Sequence, residues 1–191
     1  MSPKITVIVP TFGRTTLAGV VKQITDQMQP GDQMIVAWDG QPPSWLALPE
    51  GVEMVSLPER VGDYGCTPND EATKHATGDY IWYIGDDDQY PPTSLDLIRL
   101  LVQTDPEAVH VFSMMHTGRV LGQRVEACTV SSQQIVVPRR ADMPKWKDFP
   151  PGQELLSDWH WIDRCIKHVG RYRTHDDIIC ILDHQNFGRF V

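Results

Sequence analysis

Residues 4–10, KITVIVP, form an unbroken β-branched run, the pattern of a strand covered on both faces. Pro10 ends it. Leu17, Val20, Val21, Ile24 and Met28 then recur at helical spacing until Pro30 and Gly31 stop the pattern. QMIVAWDG (33–40) repeats the strand signature and ends in a loop with Asp39, and VEMVSLPE (52–59) predicts a third short strand. TPNDEATKHATGD predicts a helix from about Pro68 to Ala76, with Thr67 as N-cap, Pro68 at the first helical position and Gly78 closing it. YIWYIG (80–85) predicts a fourth strand. Strands alternating with helices or loops in this way predict an α/β parallel sheet, with ligands expected beyond the carboxyl ends of its strands.

Further along, TSLDLIRLLVQTDP places Leu95, Ile98, Leu101 and Val102 on one face of a surface helix. AVHVFSMMHTGRVLG and ACTVSSQQIVVPRR are strand-like, ADMPKWKDFPPGQ is irregular, ELLSDWHWIDRCIKHVG is a helix ended by Gly170, and DIICILDHQ is a last strand. Nothing in the pattern marks a repeat or a linker. The 191 residues therefore predict a single domain with a mainly parallel central sheet flanked by helices.

Composition narrows this only where it departs from the ordinary. The net charge of −8 is uneven: residues 1–112 carry 6 basic against 16 acidic side chains, and residues 113–191 carry 11 against 9. An acidic half repels a phosphorylated ligand unless a cation intervenes, and overall acidity argues against tight nonspecific binding to duplex nucleic acid. Cys66, Cys128, Cys165 and Cys180 form no CxxC pair, which fits reduced thiols and a cytoplasmic setting. No run of about 18 apolar residues and no signal-peptide pattern occurs, so neither a membrane span nor a leader is expected.

The chemistry concentrates at Asp86, Asp87 and Asp88, three adjacent carboxylates at the end of the fourth apolar strand. Carboxylates two apart on a turn can converge on one hard divalent cation that keeps room for substrate phosphates, and such a cation can neutralise a diphosphate leaving group. The plainer alternative is a solvated acidic turn before the next helix. GxGxxG, GxxxxGK[ST] and GxSxG are all missing, which moves dinucleotide oxidoreductases, P-loop NTPases and α/β-hydrolases down the ranking.

VIVPTFGR, IVAWDG and GCTPNDEATKHATGDYIWYIGDDD, in this order over residues 4–92, resemble the GT-A glycosyltransferases, specifically family 2-like nucleotide-sugar transferases. Trp38 stands where that family has the first acid of a pair. The resemblance implies a Rossmann-like GT-A fold, with residues 1–92 forming the nucleotide-sugar and metal-binding part and 93–191 the acceptor-side part. It implies that Pro10, Thr11 and Arg14 lie against the nucleotide and that Asp39 hydrogen-bonds the base. Asn69 would tie the loop after the third strand to the donor site. Asp86 and Asp88 would form a DxD motif on Mn²⁺ or Mg²⁺, with Asp87 close to the donor.

The same resemblance implies a carboxylate base on a late helix. Asp158 in LLSDWHW is the candidate, with Asp163 and Glu154 as weaker competitors and Ser157 in place of the usual glutamate. It also implies a late histidine near the metal, either His184 or His175, of which His184 is preferred. Trp146, Trp159 and Trp161 are candidates for stacking on a sugar. The processive Q-x-x-R-W signature is absent, which leaves single-sugar transfer, and the resemblance implies a UDP- or GDP-linked donor and inversion. The acceptor is open: a glycan, lipid, small molecule, protein or modified nucleic acid. A sugar-phosphate nucleotidyltransferase and a noncatalytic sugar-nucleotide or carbohydrate-binding module are the alternatives.

Overall fold

The computed structural model describes residues 2–44, 46–122, 124–150, 152–153 and 156–182. Its parallel half is built from β1 (Ile5–Thr11), α1 (Leu17–Thr25), β2 (Gln33–Trp38), β3 (Val52–Ser56), α2 (Cys66–Thr73) and β4 (Tyr80–Tyr83). After α3 (Ser94–Val102) come β5 (Val109–His116), β6 (Arg119–Leu121), β7 (Ile135–Pro138), α4 (Ser157–Val169) and β8 (Tyr172–Ile181). The strands form one mixed sheet in the order β3-β2-β1-β4-β7-β5-β6, with β8 also paired to β5. β1, β2, β3 and β4 are mutually parallel, as the apolar runs predict, and β8 runs parallel to β5. β7 enters antiparallel between β4 and β5, and β6 folds back on β5 as a hairpin.

Alternation along the strands explains why the apolar runs are continuous. Ile5, Val7 and Val9 of β1 and Tyr80 and Trp82 of β4 pack against Leu17, Val20, Val21 and Ile24 of α1 and Leu95, Ile98 and Val102 of α3. Ile8, Ile81 and Tyr83 face the opposite way, toward Cys66 and Ala72 of α2 and Trp161, Ile162 and Cys165 of α4. With helices on both faces, neither side of a central strand meets water.

Two local expectations change, and one buried ion pair leaves no mark in the hydrophobic pattern. α2 starts at Cys66, two residues before the predicted start, because Gly65 adopts φ +85° and Asp63 accepts hydrogen bonds from the Thr67 N–H and hydroxyl. Pro68 is tolerated because the first-turn amides have no intrahelical partner to lose. The final strand starts at Tyr172, well before DIICILDHQ, because its first half is a largely exposed polar stretch with no apolar signature. α3 buries Arg99 on its inner face, where it pairs with Asp32.

β5 and β8 also hold a histidine pair, His110 buried and His175 half-buried. The Asp105 carbonyl accepts the His110 Nε2 proton at 3.0 Å, which leaves Nδ1 to accept from His175 Nε2 at 2.9 Å. Burial pushes His110 from the ordinary 6.5 to about 4, with the neighbouring His175 lowering it further and the Asp105 carbonyl opposing. Burial also lowers His175. The unfolded chain therefore takes up these protons first as the pH falls, and stability is lost from about 6.5 downward toward 4. The unfolding free energy from urea titrations should fall over that interval, at about 1.4 kcal/mol per pH unit for His110 where the unfolded form alone is protonated. A His110→Gln variant should flatten the slope, and a slope identical to that of the parent chain would assign the loss to other groups.

Candidate active site

β1 leaves the sheet at Thr11, and the following residues reach back over the end of β4. Thr11 Oγ1 donates to Asp86 Oδ2 at 2.6 Å and accepts the Gly13 N–H at 3.0 Å. Arg14 Nη1 lies 2.8 Å from Asp86 Oδ1 and 2.5 Å from Asp87 Oδ2. One guanidinium thus relieves the repulsion between two of the three neighbouring aspartates. Burial pushes the Asp86 carboxyl above its ordinary value, while the Thr11 bond and the Arg14 charge hold it down.

The acidic turn is closed by Tyr90, whose hydroxyl accepts the Gly85 N–H at 2.8 Å and donates to the Gly85 carbonyl at 3.2 Å. Tyr90 in turn packs edge-on against Trp82 of β4, with ring centroids 5.3 Å apart. A Cβ on Gly85 would stand 2.4 Å from Asp88 Oδ2 and 3.1 Å from Gln133 Nε2, so a side chain there would push both groups aside. Gln133 Nε2 donates to Asp88 Oδ2 at 2.9 Å.

The 3₁₀ turn Ser132–Gln134 that carries Gln133 also meets Asp158 in the first turn of α4. The Ser132 N–H donates to Asp158 Oδ2 at 3.0 Å, and Ser131 Oγ lies 3.1 Å from the same oxygen. Ser131 Oγ also contacts Gln133 Oε1, and Ser132 Oγ lies 3.2 Å from that oxygen. A hydroxyl has one proton, so Ser132 can satisfy Gln133 while Ser131 satisfies Asp158.

On the β2 side, the two oxygens of Asp39 accept the Val61 N–H at 2.7 Å and the Gly62 N–H at 2.9 Å. That carboxylate holds down the loop after β3. Beside it opens a cleft of about 600 Å³, lined by Phe12, Trp38, Asp39, Pro58 and Arg60 among others. Phe12 is 46% exposed, and the guanidinium carbons of Arg14 and Arg60 lie 5.0 and 4.9 Å from its ring centre. Pro10, half-buried at the end of β1, would be 2.9 Å from a Cβ on Gly65, which fixes how closely α2 approaches. Asn69 in α2 is buried, and its Oδ1 has no hydrogen-bond partner among the described residues.

The fold thus brings Thr11 and Arg14 onto Asp86 and Asp87, and the turn that carries Gln133 and Ser131 onto Asp88 and Asp158, with the backbone of the acidic turn joining the two sets. Neither Gln133 nor Ser131 was singled out from the sequence. The only hint was the polar SSQQ before IVVP, a composition that also suits an ordinary turn. His184 and Glu154 lie outside the described residues. His175 is taken up by the His110 pair, and Asp163 ion-pairs with Lys167 at 2.7 Å. Trp146 and Trp161 are buried in the core and stacked on each other at 4.0 Å, and they line a second cavity remote from the acidic turn. That cavity, about 330 Å³, lies between α2, β4 and residues 139–147 and contains none of the aspartates at the end of β4.

Among the described residues no group of three or more His, Cys, Asp or Glu is placed to hold a metal ion. The oxygen donors of the acidic turn still fit a hard cation, because such ions take part of their coordination from water and substrate phosphate. Gly85 keeps the space beside Asp88 clear of a side chain.

A helix-flanked sheet with an acidic turn at the carboxyl end of a parallel strand is the architecture of the GT-A class. A family model described as glycosyl transferase family 2 matches residues 6–146, and the chain belongs to that family. Among solved structures, Staphylococcus aureus TarS residues 1–349 is similar over 94% of this chain and 60% of its own, with a TM-score of 0.75 at 17% identity. TarS 1–349 in complex with UDP-GlcNAc matches 98% of this chain and 62% of its own, with a TM-score of 0.72 at 14% identity. The mannosyltransferase PcManGT from Pyrobaculum calidifontis, in complex with GDP-Man and Mn²⁺, matches 98% and 59%, with a TM-score of 0.61 at 17% identity. The chain therefore spans about 60% of the length of these proteins, and the likeness is one of fold. No curated protein matches the chain by sequence. Among the described residues no helix is long and apolar enough to cross a membrane.

Proposed function

We propose that the chain transfers a single sugar from a UDP- or GDP-linked donor to an acceptor hydroxyl, with inversion and with Mn²⁺ or Mg²⁺ at the acidic turn. The observation that carries this reading is that one network links the Asp86–Asp88 turn to Arg14 on one side and to Asp158 on the other. Family membership supports it, as do neighbours solved with UDP-GlcNAc and with GDP-Man and Mn²⁺.

In this reading the base enters the cleft beside Asp39, next to the partly exposed Phe12 ring and the Arg60 guanidinium that lies over it. Asp39 acts on the base edge and, through Val61 and Gly62, on the wall of the cleft. Asn69 Oδ1 is a buried acceptor with no hydrogen-bond partner among the described residues, open to a donor group of the ligand. Arg14 is the cation on the diphosphate side, and Asp86 and Asp87 hold its guanidinium in place. Asp88, with Asp86, would hold the metal, which when bound neutralises charge on the departing diphosphate.

Asp158 removes the proton of the acceptor hydroxyl. The acceptor oxygen bonds to the anomeric carbon from the opposite face, the bond to the diphosphate oxygen breaks, and its electron pair leaves with the nucleotide. Residues 1–92 thereby form the donor part, and residues 93–191 supply Ser131, Gln133 and Asp158 from the acceptor side. The acceptor class stays as wide as the sequence leaves it: glycan, lipid, small molecule, protein or modified nucleic acid.

Thermal unfolding with UDP or GDP and Mn²⁺ tests the donor reading. A nucleotide at a hundred times its dissociation constant stabilises the fold by about 2.7 kcal/mol. The metal-dependent part of that shift should vanish in Asp88→Ala. No shift with either nucleotide in the presence of Mn²⁺ would sink the reading.

A further inference from the structure

We infer that Gln133 is a positioning residue for the divalent cation: its side-chain amide fixes the rotamer of Asp88 from the same 3₁₀ turn whose Ser132 N–H holds Asp158. The inference rests on the donor-site reading above and deepens it. Gln133 Nε2 donates to Asp88 Oδ2 at 2.9 Å, while its Oε1 is engaged by Ser131 Oγ and by Ser132 Oγ at 3.2 Å. A flipped amide would set its carbonyl oxygen against the Asp88 carboxylate, acceptor against acceptor, whereas the serine hydroxyls can donate to Oε1 as it stands. The side chain is therefore held in one orientation, with the N–H on Asp88.

What anchors the turn is separate from what the Gln133 side chain does. The Gln133 backbone carbonyl accepts the Trp82 indole N–H at 2.8 Å. Gln134, fully buried, accepts the Ser131 N–H at 2.9 Å and donates to the Phe112 carbonyl at 3.0 Å. None of these bonds uses the Gln133 amide, so its removal leaves the turn anchored. Partners that orient a metal-ligating carboxylate tune affinity by about 10- to 100-fold.

The test is Mn²⁺ binding to the whole chain, read by electron paramagnetic resonance of the free ion, with UDP binding without metal and the unfolding temperature measured alongside. Gln133→Ala should weaken Mn²⁺ about tenfold while metal-free UDP binding and the unfolding temperature stay put. Gln133→Met keeps the length of the side chain but has no N–H to donate to Asp88. It should not restore the parent affinity if the amide hydrogen bond is what positions Asp88. Parent-like Mn²⁺ affinity in Gln133→Ala would overturn the inference alone, and so would a joint loss of metal binding, UDP binding and thermal stability in both variants. A parent chain that binds neither Mn²⁺ nor nucleotide would overturn the donor-site reading, and this inference with it.

Discussion

Replacing Asp158 with asparagine should lower sugar transfer by about 10²- to 10⁴-fold, the range expected for loss of a positioned general base. Asparagine has nearly the same shape, and its carbonyl oxygen can accept the bonds that Ser131 and the Ser132 N–H make to Asp158 Oδ2. It cannot take up a proton at neutral pH. Fold and donor affinity should therefore be kept while turnover falls, as read by mass spectrometry of the acceptor with the donor saturating. Asp163→Asn is the control, because that carboxylate is committed to the solvent-side pair with Lys167. Full turnover in Asp158→Asn, or a greater loss in Asp163→Asn, would move the base elsewhere.

The largest loss of stability should follow Arg99→Ala. The Arg99 and Asp32 side chains are 5% and 2% exposed, and they form an ion pair between α3 and the turn that leads into β2. Asp32 also accepts the Ile5 N–H at 3.0 Å and the Gln29 N–H at 2.8 Å, so its carboxylate fastens the start of β1 to the end of the α1 connection. Removing the guanidinium leaves a buried charge with two amide donors and no counter-ion. Breaking a buried pair from one side typically costs about 3–5 kcal/mol. Urea unfolding should show that loss in Arg99→Ala and recover part of it when Asp32→Asn is added, because asparagine removes the stranded charge. A cost below about 1 kcal/mol, the scale of an exposed pair such as Lys22 with Asp26, would show that water reaches the site.

Several features were readable from residue order because their cause is local. β1, β2 and β4 are unbroken apolar runs, and a strand with helices on both faces requires that pattern. α1 announces itself by Leu17, Val20, Val21 and Ile24 on one stripe. The acidic turn is visible because Gly85 and three aspartates follow β4 without interruption. The start of α2 was misplaced because its cap is made by a left-handed Gly65 and the Asp63 side chain in place of the expected Thr67. The first half of β8 was passed over because an exposed polar segment pairs through its backbone, which leaves no trace in hydrophobic periodicity.

Residue order by itself determined the parallel, helix-covered half of the sheet, the height of Asp86–Asp88 at the end of β4, and the family to which these motifs belong. Only the tertiary structure decided what those carboxylates touch. Arg14 lies 72 positions from Asp86, Gln133 lies 45 from Asp88, and Ser131 lies 27 from Asp158. Such contacts depend on where β7 inserts into the sheet and how the turn before it is anchored by Trp82 and Phe112. Hydrophobic pattern selects which face of an element is buried. The position of a polar side chain at the end of a sheet is set by packing between segments far apart in the chain, and no local pattern records it.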